Sequence, residues 1–306
     1  MDKTEKFFLE EIKKYGLTDE DFRDIVTFMQ IKDTERSDPK LEKRVTKIFS
    51  KKLGIKPFKD EPIPKEFSAV LPLFREHVGT LDQFASGVLI EIGNKIFLFS
   101  ASHALEQMNE VLMPVGTEIV SIVGGCGGIY SDSKEHANLD FLFIDIAEKL
   151  HEKIKNNSVV LNYSNIGFEY DLPTNAPCVF VGYPFRKSKK DRENNSFSSE
   201  ILEYVGTYMS NEETYHKLGY KKNENIIMRY NFKQTTNRLG ENVRPTVLPE
   251  GISGGGIFIN SIRKKNEDSV RNVKLIGISH SFDSKKKVMI GTRIETCLAI
   301  IQSFNL

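Results

Sequence analysis

Cysteine is scarce in this chain: three residues in 306, Cys126, Cys178 and Cys297. The count is odd, the spacing is wide and no Cys-x-x-Cys pair occurs. That excludes a disulfide framework and points to a reducing, cytoplasmic setting. Charge of one sign is lacking too. The chain has 43 Lys and Arg against 42 Asp and Glu, a net charge of +1. No global field recruits nucleic acid or an anionic membrane, so neither is expected as a partner. Apolar runs are broken by charge or glycine within about ten residues, too short to span a bilayer. The start, Met1-Asp2-Lys3-Thr4-Glu5-Lys6, lacks the basic, apolar and small-residue regions of a signal peptide. No His-Glu-x-x-His and no Cys/His cluster occurs, so no metal or other cofactor is expected.

What is present is an ordinary globular composition, 39% hydrophobic and 28% charged. Residues 1–54 carry helical periodicity. Phe8, Leu9 and Ile12 share one face, and Phe22, Ile25, Val26 and Met29 a second, started by Thr18 with Asp21 as a capping box. Ser37-Asp38-Pro39 opens a third stripe of Leu41, Val45 and Ile48. Pro57, Pro62 and Pro64 mark a linker. The expected division is a helical extension with linker over 1–60 and a β domain over 61–306. The period then becomes strand-like. Strands are predicted at Phe84–Ile92, Lys95–Ser100, Glu118–Val123, Leu139–Ile146, Cys178–Tyr183, Ile201–Met209, Ile226–Phe232, Gly256–Asn260, Lys274–Ser281 and Val288–Arg293. Many short strands between turn signals predict an all-β barrel or sandwich. Gly124-Gly125-Cys126-Gly127-Gly128 reads as a turn, the basic segment Arg186–Ser199 as a solvated loop, and Glu295–Phe304 as a closing helix.

Three places carry chemistry. Ser253 lies in Gly251-Ile252-Ser253-Gly254-Gly255-Gly256, just before an apolar run. A serine hydroxyl is a weak nucleophile until a base takes its proton, and glycines let backbone N–H groups approach a developing oxyanion. His103 ends the segment Ile96-Phe97-Leu98-Phe99-Ser100-Ala101-Ser102-His103, an imidazole at a strand end with little crowding. Asp140 heads the apolar run Phe141-Leu142-Phe143-Ile144, where a carboxylate is costly to bury unless something donates to it. Asp145 competes for that role, but on a strand it faces the other way from Asp140.

In order and local setting these segments resemble the chymotrypsin-like serine peptidases. Ser100–Ala104 looks like that family's histidine segment, Asp140–Ile144 its aspartate-led strand, and Gly251–Gly255 its nucleophile loop. Ala85–Ile90, Leu275–Ser279 and Ile290–Ile294 resemble its opening and closing strands, so the likeness covers about residues 66–306. The resemblance implies two packed six-stranded antiparallel β-barrels, about 66–172 and 173–306, with a small N-terminal helical extension and a C-terminal helix. It implies Ser253 as nucleophile, His103 as base, Asp140 as its orienting group, and the N–H groups of Gly251 and Ser253 as oxyanion hole. It also implies a substrate pocket with Val247 at its floor and Ser279, His280, Ser281 and Phe282 in its wall. No acid stands at Val247, so apolar or small side chains are expected there. The protein would be a serine endopeptidase acting on protein or peptide substrates. Ile252 replaces the acid common in zymogen-activated relatives, and the usual disulfides are missing. Both departures fit the HtrA-like, intracellular branch, although no PDZ-like domain is expected here. Control is then expected from a partner at the N-terminal helices.

Two other functions fit some of these features. Gly251-x-Ser253-x-Gly255 matches the nucleophile elbow of an α/β-hydrolase, but that fold needs its Asp and His after the serine and a βαβ alternation before it. A protease-like module that grips a peptide or protein without cutting it also fits.

Overall fold

Runs such as Ile96-Phe97-Leu98-Phe99 are apolar at every position, so a strand built from them needs cover on both faces. In the computed structural model two antiparallel sheets share a core and supply that cover. The structure describes residues 18, 20–21, 23–24, 63–77, 80–105, 110–130, 139–168, 177–191, 196–230, 248–265 and 268–304. The chain divides into two compact units, residues 1–62 with 234–244 and residues 63–233 with 245–306. In the first, Thr18 N–H donates to Asp21 Oδ2 at 2.7 Å and Asp21 N–H donates to Thr18 Oγ1 at 3.2 Å, the predicted capping box. The rest of the predicted helices of residues 1–54 lie outside the described residues.

The second unit begins with β1 (Val70–His77), β2 (Thr80–Ile92), β3 (Lys95–Ser100), the short helix α1 (Ser102–Leu105), β4 (Val111–Val115), β5 (Glu118–Ile122), β6 (Gly124–Tyr130) and β7 (Asp140–Ile146). These strands form a seven-stranded sheet in the order β5-β4-β1-β2-β3-β7-β6. After α2 (His151–Asn157) come β8 (Pro177–Gly182), the hairpin β9 (Ser188–Asp191) and β10 (Ser196–Ser199), and β11 (Leu202–Tyr208). Then follow α3 (Glu212–Leu218), β12 (Asn225–Arg229), β13 (Gly256–Lys265), β14 (Asp268–Asp283), β15 (Val288–Arg293) and α4 (Ile294–Ser303). Six of these strands close a barrel in the order β11-β12-β15-β14-β13-β8.

Side chains alternate across each strand, and the burial pattern follows. On β3, Phe97 and Phe99 join the core shared by the two sheets, while Ile96 and Leu98 join a separate core with Leu73, Leu89 and Met113. On β8, Val179 and Val181 face the shared core, and Cys178 and Phe180 the barrel interior. Helix α4 closes the shared core with Ile294, Cys297, Ile300 and Ile301.

The first sheet has seven strands where six were expected, and it is the second that closes. Gly124–Gly128, predicted as a turn, is most of β6. A Cβ at Gly124 would fall 1.8 Å from Asp145 O and one at Gly128 2.4 Å from Phe141 O, both backbone atoms of β7, so the close approach of β6 to β7 requires glycine there. Arg186–Ser199, predicted as a solvated loop, contains the β9–β10 hairpin. Gln83 of β2 clasps it by accepting from the hydroxyls of Ser188 and Ser199 and donating to the Tyr183 carbonyl.

Candidate active site

β3 and β7 are antiparallel neighbours, with Phe99 opposite Phe143 and Ser100 opposite Leu142. Continued by two residues, that register sets Asp140 against Ser102, where α1 begins. The turn into α1 lays His103 on Asp140. The carboxylate is gripped twice: His103 N–H donates to Oδ1 at 3.0 Å, and ring Nδ1 meets Oδ2. Asp140 is only 7% exposed, and these two donors offset the cost of burying it. A proton on Nδ1 facing Asp140 leaves the lone pair of Nε2 as the ring's basic site. Asp145 forms a surface ion pair with Lys95 at 2.9 Å instead.

The hydrogen bond to Asp140 raises the His103 pKa above its ordinary value; burial opposes this and the carboxylate charge adds to it. Burial acts to raise the Asp140 pKa, but the His103 hydrogen bond, the charges of His280 and His103 and the His103 amide outweigh it, and the net direction is down.

The nucleophile loop repays a full count of its backbone groups. Every carbonyl from Glu250 to Ser253 is held. Phe185 N–H donates to Glu250 O at 2.9 Å, Ser86 Oγ to Gly251 O at 3.1 Å, and Ser86 N–H to Ser253 O at 2.8 Å. Ile252 O accepts from both Gly255 N–H and Ser279 Oγ at 2.8 Å. The N–H of Ile252 reaches Pro249 O at 3.3 Å and that of Gly254 reaches Ser279 O at 2.7 Å. Among the described residues, nothing accepts from the N–H of Gly251 or of Ser253. A trans peptide points its N–H opposite its C=O, so the bonds to Glu250 O and Ile252 O aim these two donors, and those to Gly251 O and Ser253 O steady the peptides on either side of the Ser253 N–H. Gly251 has φ +95, a value that L side chains rarely adopt, and Phe185 packs where a Cβ would stand.

Ser253 Oγ donates to the carbonyl of His280 at 3.1 Å, and no hydrogen bond among the described residues joins it to His103. Gly254 ties the two parts of the site together. It packs on Ser100, three residues before His103, and a Cβ there would fall 2.1 Å from Ser100 Oγ.

Beside Ser253 lies a cavity of about 220 Å³ lined by Pro249, Glu250, Ile252, Ser253, Ser279, His280, Ser281 and Phe282. The predicted wall, Ser279 to Phe282, is therefore at the cavity; the predicted floor, Val247, lies outside the described residues. His280 sits at a bulge, where Ser279 pairs with Gly291 and Ser281 with Ile290. The residue is 4% exposed, and burial pushes its pKa down to about 4, so the imidazole is neutral near pH 7. Ring Nδ1 bonds Ser281 Oγ at 2.9 Å. Ile252 is buried with Cys178, Phe180 and Ile257 in the barrel interior.

Two buried residues escaped the sequence reading, Ser86 and Ser100. The signal available was a hydroxyl inside an apolar strand, which needs a partner. Among the described residues no group of three or more His, Cys, Asp or Glu side chains could hold a metal ion, and no helix is long and apolar enough to cross a membrane.

A closed six-stranded antiparallel barrel beside a seven-stranded antiparallel sheet, followed by a C-terminal helix, decides the fold class. The fold is chymotrypsin-like. No family model matches the chain, and no curated protein matches it. Among solved structures it is similar to the VesB protease of Vibrio cholerae, with 13% identity, covering 80% of this chain and 66% of that one, TM-score 0.49. It is similar to neuropsin, a serine protease expressed in the limbic system of mouse brain, at 15% identity, 80% and 98% coverage and TM-score 0.48. It is also similar to the scabies mite inactivated protease paralogue S-D1, at 12% identity, 78% and 91% coverage and TM-score 0.47. Likenesses this distant leave the chemistry to be argued from the site's own geometry.

Proposed function

We propose that the chain is a serine endopeptidase that cleaves protein or peptide substrates through an acyl-enzyme. The observation that carries the reading is the pair of N–H groups at Gly251 and Ser253, free among the described residues, in a loop whose carbonyls from Glu250 to Ser253 are held. Preorganised donors of this kind stabilise the oxyanion of an acyl-transfer intermediate and cost nothing to reorient when the charge develops. Ser253 is the nucleophile. His103 takes its proton at Nε2 and later returns it to the leaving amine, and Asp140 holds the imidazole and stabilises its charged form. The cavity walled by Ser279–Phe282 receives a substrate side chain. With Ile252 buried where zymogen-activated relatives carry an acid, a new N-terminus has no ion pair to make, and control falls to the N-terminal segment.

The hydrogen bond from Ser253 Oγ to His280 favours a second reading, a module that binds peptides without cutting them. A rotation about χ1 between staggered positions carries the hydroxyl between acceptors, and catalytic hydrogen bonds often tighten only around substrate. A fluorophosphonate probe separates the two readings. Full-length protein is expected to gain one adduct by intact mass, mapped to Ser253 and absent from Ser253→Ala. Wild-type protein that stays unlabelled would overturn the serine-hydrolase reading and leave the binding module as the one to test.

The labelling rate also has an expected pH dependence. His103 must be neutral to act as base, and Asp140 raises its pKa. The rate should therefore fall as the pH drops, with its midpoint above the ordinary histidine value of about 6.5. A midpoint below that value would show that Asp140 does not govern the base.

A further inference from the structure

We propose that Ser86, backed by Ser100, is a positioning residue that sets the nucleophile loop against the base. This inference rests on the serine-hydrolase reading above. Ser86 is 0% exposed and lies on β2, beyond the point where β3 stops pairing with it. Val88 faces Phe99, so the same register would set Ser86 opposite Ala101, which has already left β3. The N–H and C=O of Ser86 thus lose their partner strand, and buried backbone groups must be paired.

Both find partners in the site. The N–H donates to Ser253 O at 2.8 Å, and the C=O accepts from Ser100 Oγ at 2.8 Å. The side chain works in parallel: Ser86 Oγ accepts from Tyr183 N–H at 2.9 Å and donates to Gly251 O at 3.1 Å. One residue of the first sheet therefore holds the carbonyls of Gly251 and Ser253 and the first residue after β8. Ser100, which anchors it, stands three residues before His103.

The consequence is mechanical. Gly251 O and Ser253 O flank the peptide that carries the Ser253 N–H, and the Gly251 N–H belongs to the residue whose carbonyl Ser86 grips. Without the Ser86 hydroxyl, the peptide between Gly251 and Ile252 keeps only the 3.3 Å bond from Ile252 N–H to Pro249 O. The free donors then lose part of their fixed aim. Alanine cannot replace this function; threonine can, because it keeps the hydroxyl.

The test uses the full chain and a fluorophosphonate probe, with the maximal labelling rate constant separated from the apparent probe affinity. Losing one oxyanion donor outright costs about 10²–10³ in rate, and Ser86 only aims such donors. Ser86→Ala should therefore label about ten- to a hundredfold more slowly at saturating probe. Its probe affinity should stay within about twofold and its pH midpoint unchanged, because the contact of His103 with Asp140 is untouched. Ser86→Thr should recover most of the rate. A merely structural role predicts something else: a smaller fraction of molecules labelled at the end point, the rest reacting at the wild-type rate constant. That result, or an unchanged rate constant, overturns the proposal. If Ser86→Ala does not fold, Ser100→Ala decides, since it removes the donor that anchors Ser86 O and leaves the Ser86 hydroxyl in place. A several-fold slower rate constant supports the proposal and an unchanged one overturns it. Wild-type protein that never labels defeats the function reading and this inference together; normal labelling of wild type and variant alike defeats this inference alone.

Discussion

Ser253→Ala and His103→Ala are each expected to lower turnover of a denatured protein substrate by about 10⁴ or more, and the double variant should be scarcely worse than either single one. Nucleophile and base act as a unit: a hydroxyl without a base stays protonated, and a base without a nucleophile activates only water. Asp140→Asn is the sharper member of this group. An amide at that place cannot accept from the His103 amide and ring with a full negative charge. It also leaves the ring free to adopt the wrong tautomer, for which a loss of about 10⁴ is the reference magnitude. Two effects on the base should then appear together. The bond that raises the His103 pKa is lost while burial, which lowers it, remains. The acid limb of the pH profile should therefore move down even as the rate collapses. Wild-type turnover by Ser253→Ala would sink the whole assignment. An Asp140→Asn enzyme with an unmoved acid limb would remove Asp140 from it.

How far the sequence shows all this depends on whether a feature is local. β3 and β15 begin and end where the pattern puts them, because apolar runs bounded by turns carry their own limits. β1 and β4 were not predicted; each contains a proline, Pro72 or Pro114, which reads as a break. In β1 the proline is tolerated because pairing with β4 is confined to Phe74 opposite Leu112. The glycines of β6 look like a turn until the β7 backbone is seen against Gly124 and Gly128. The charged hairpin β9–β10 depends on Gln83, about a hundred residues away in the chain. In the site, the contact of His103 with Asp140 follows from the register of β3 and β7. The placement of Ser253 Oγ on His280 O does not, because it depends on a bulge that sequence periodicity cannot show. Ser86 and Ser100 are hard to read from the sequence because each looks like a small residue in an apolar run, and the Ser86 partners Tyr183, Gly251 and Ser253 lie far along the chain.

Gly254→Ala should be among the most damaging single changes in the β domain, for stability and for activity at once. Gly254 has φ +85, so alanine there is strained in any surroundings. The added Cβ would also stand 2.1 Å from Ser86 O and 2.1 Å from Ser100 Oγ. The Ser100 hydroxyl can turn aside; Ser86 O, a backbone atom of β2, cannot. Strain of about 1–3 kcal/mol and overpacking of about 1–3 kcal/mol then add, because both act at one residue with no route of escape. At about 2–4 °C per kcal/mol for a domain of this size, the melting temperature should fall by roughly 5–20 °C. Gly93→Ala is the matched control. Gly93 also has positive φ, +61, but nothing lies within 4 Å of its added Cβ, so only the backbone strain should appear. The folded remainder of Gly254→Ala should also label slowly at Ser253, since the contact that spaces the nucleophile loop from the histidine segment has been wedged apart. A misplacement of about 1 Å corresponds to about 10² in rate. Equal melting temperatures for the two glycine variants would mean that the loop relaxes freely away from β2, and the tight seating of nucleophile against base would have to be given up.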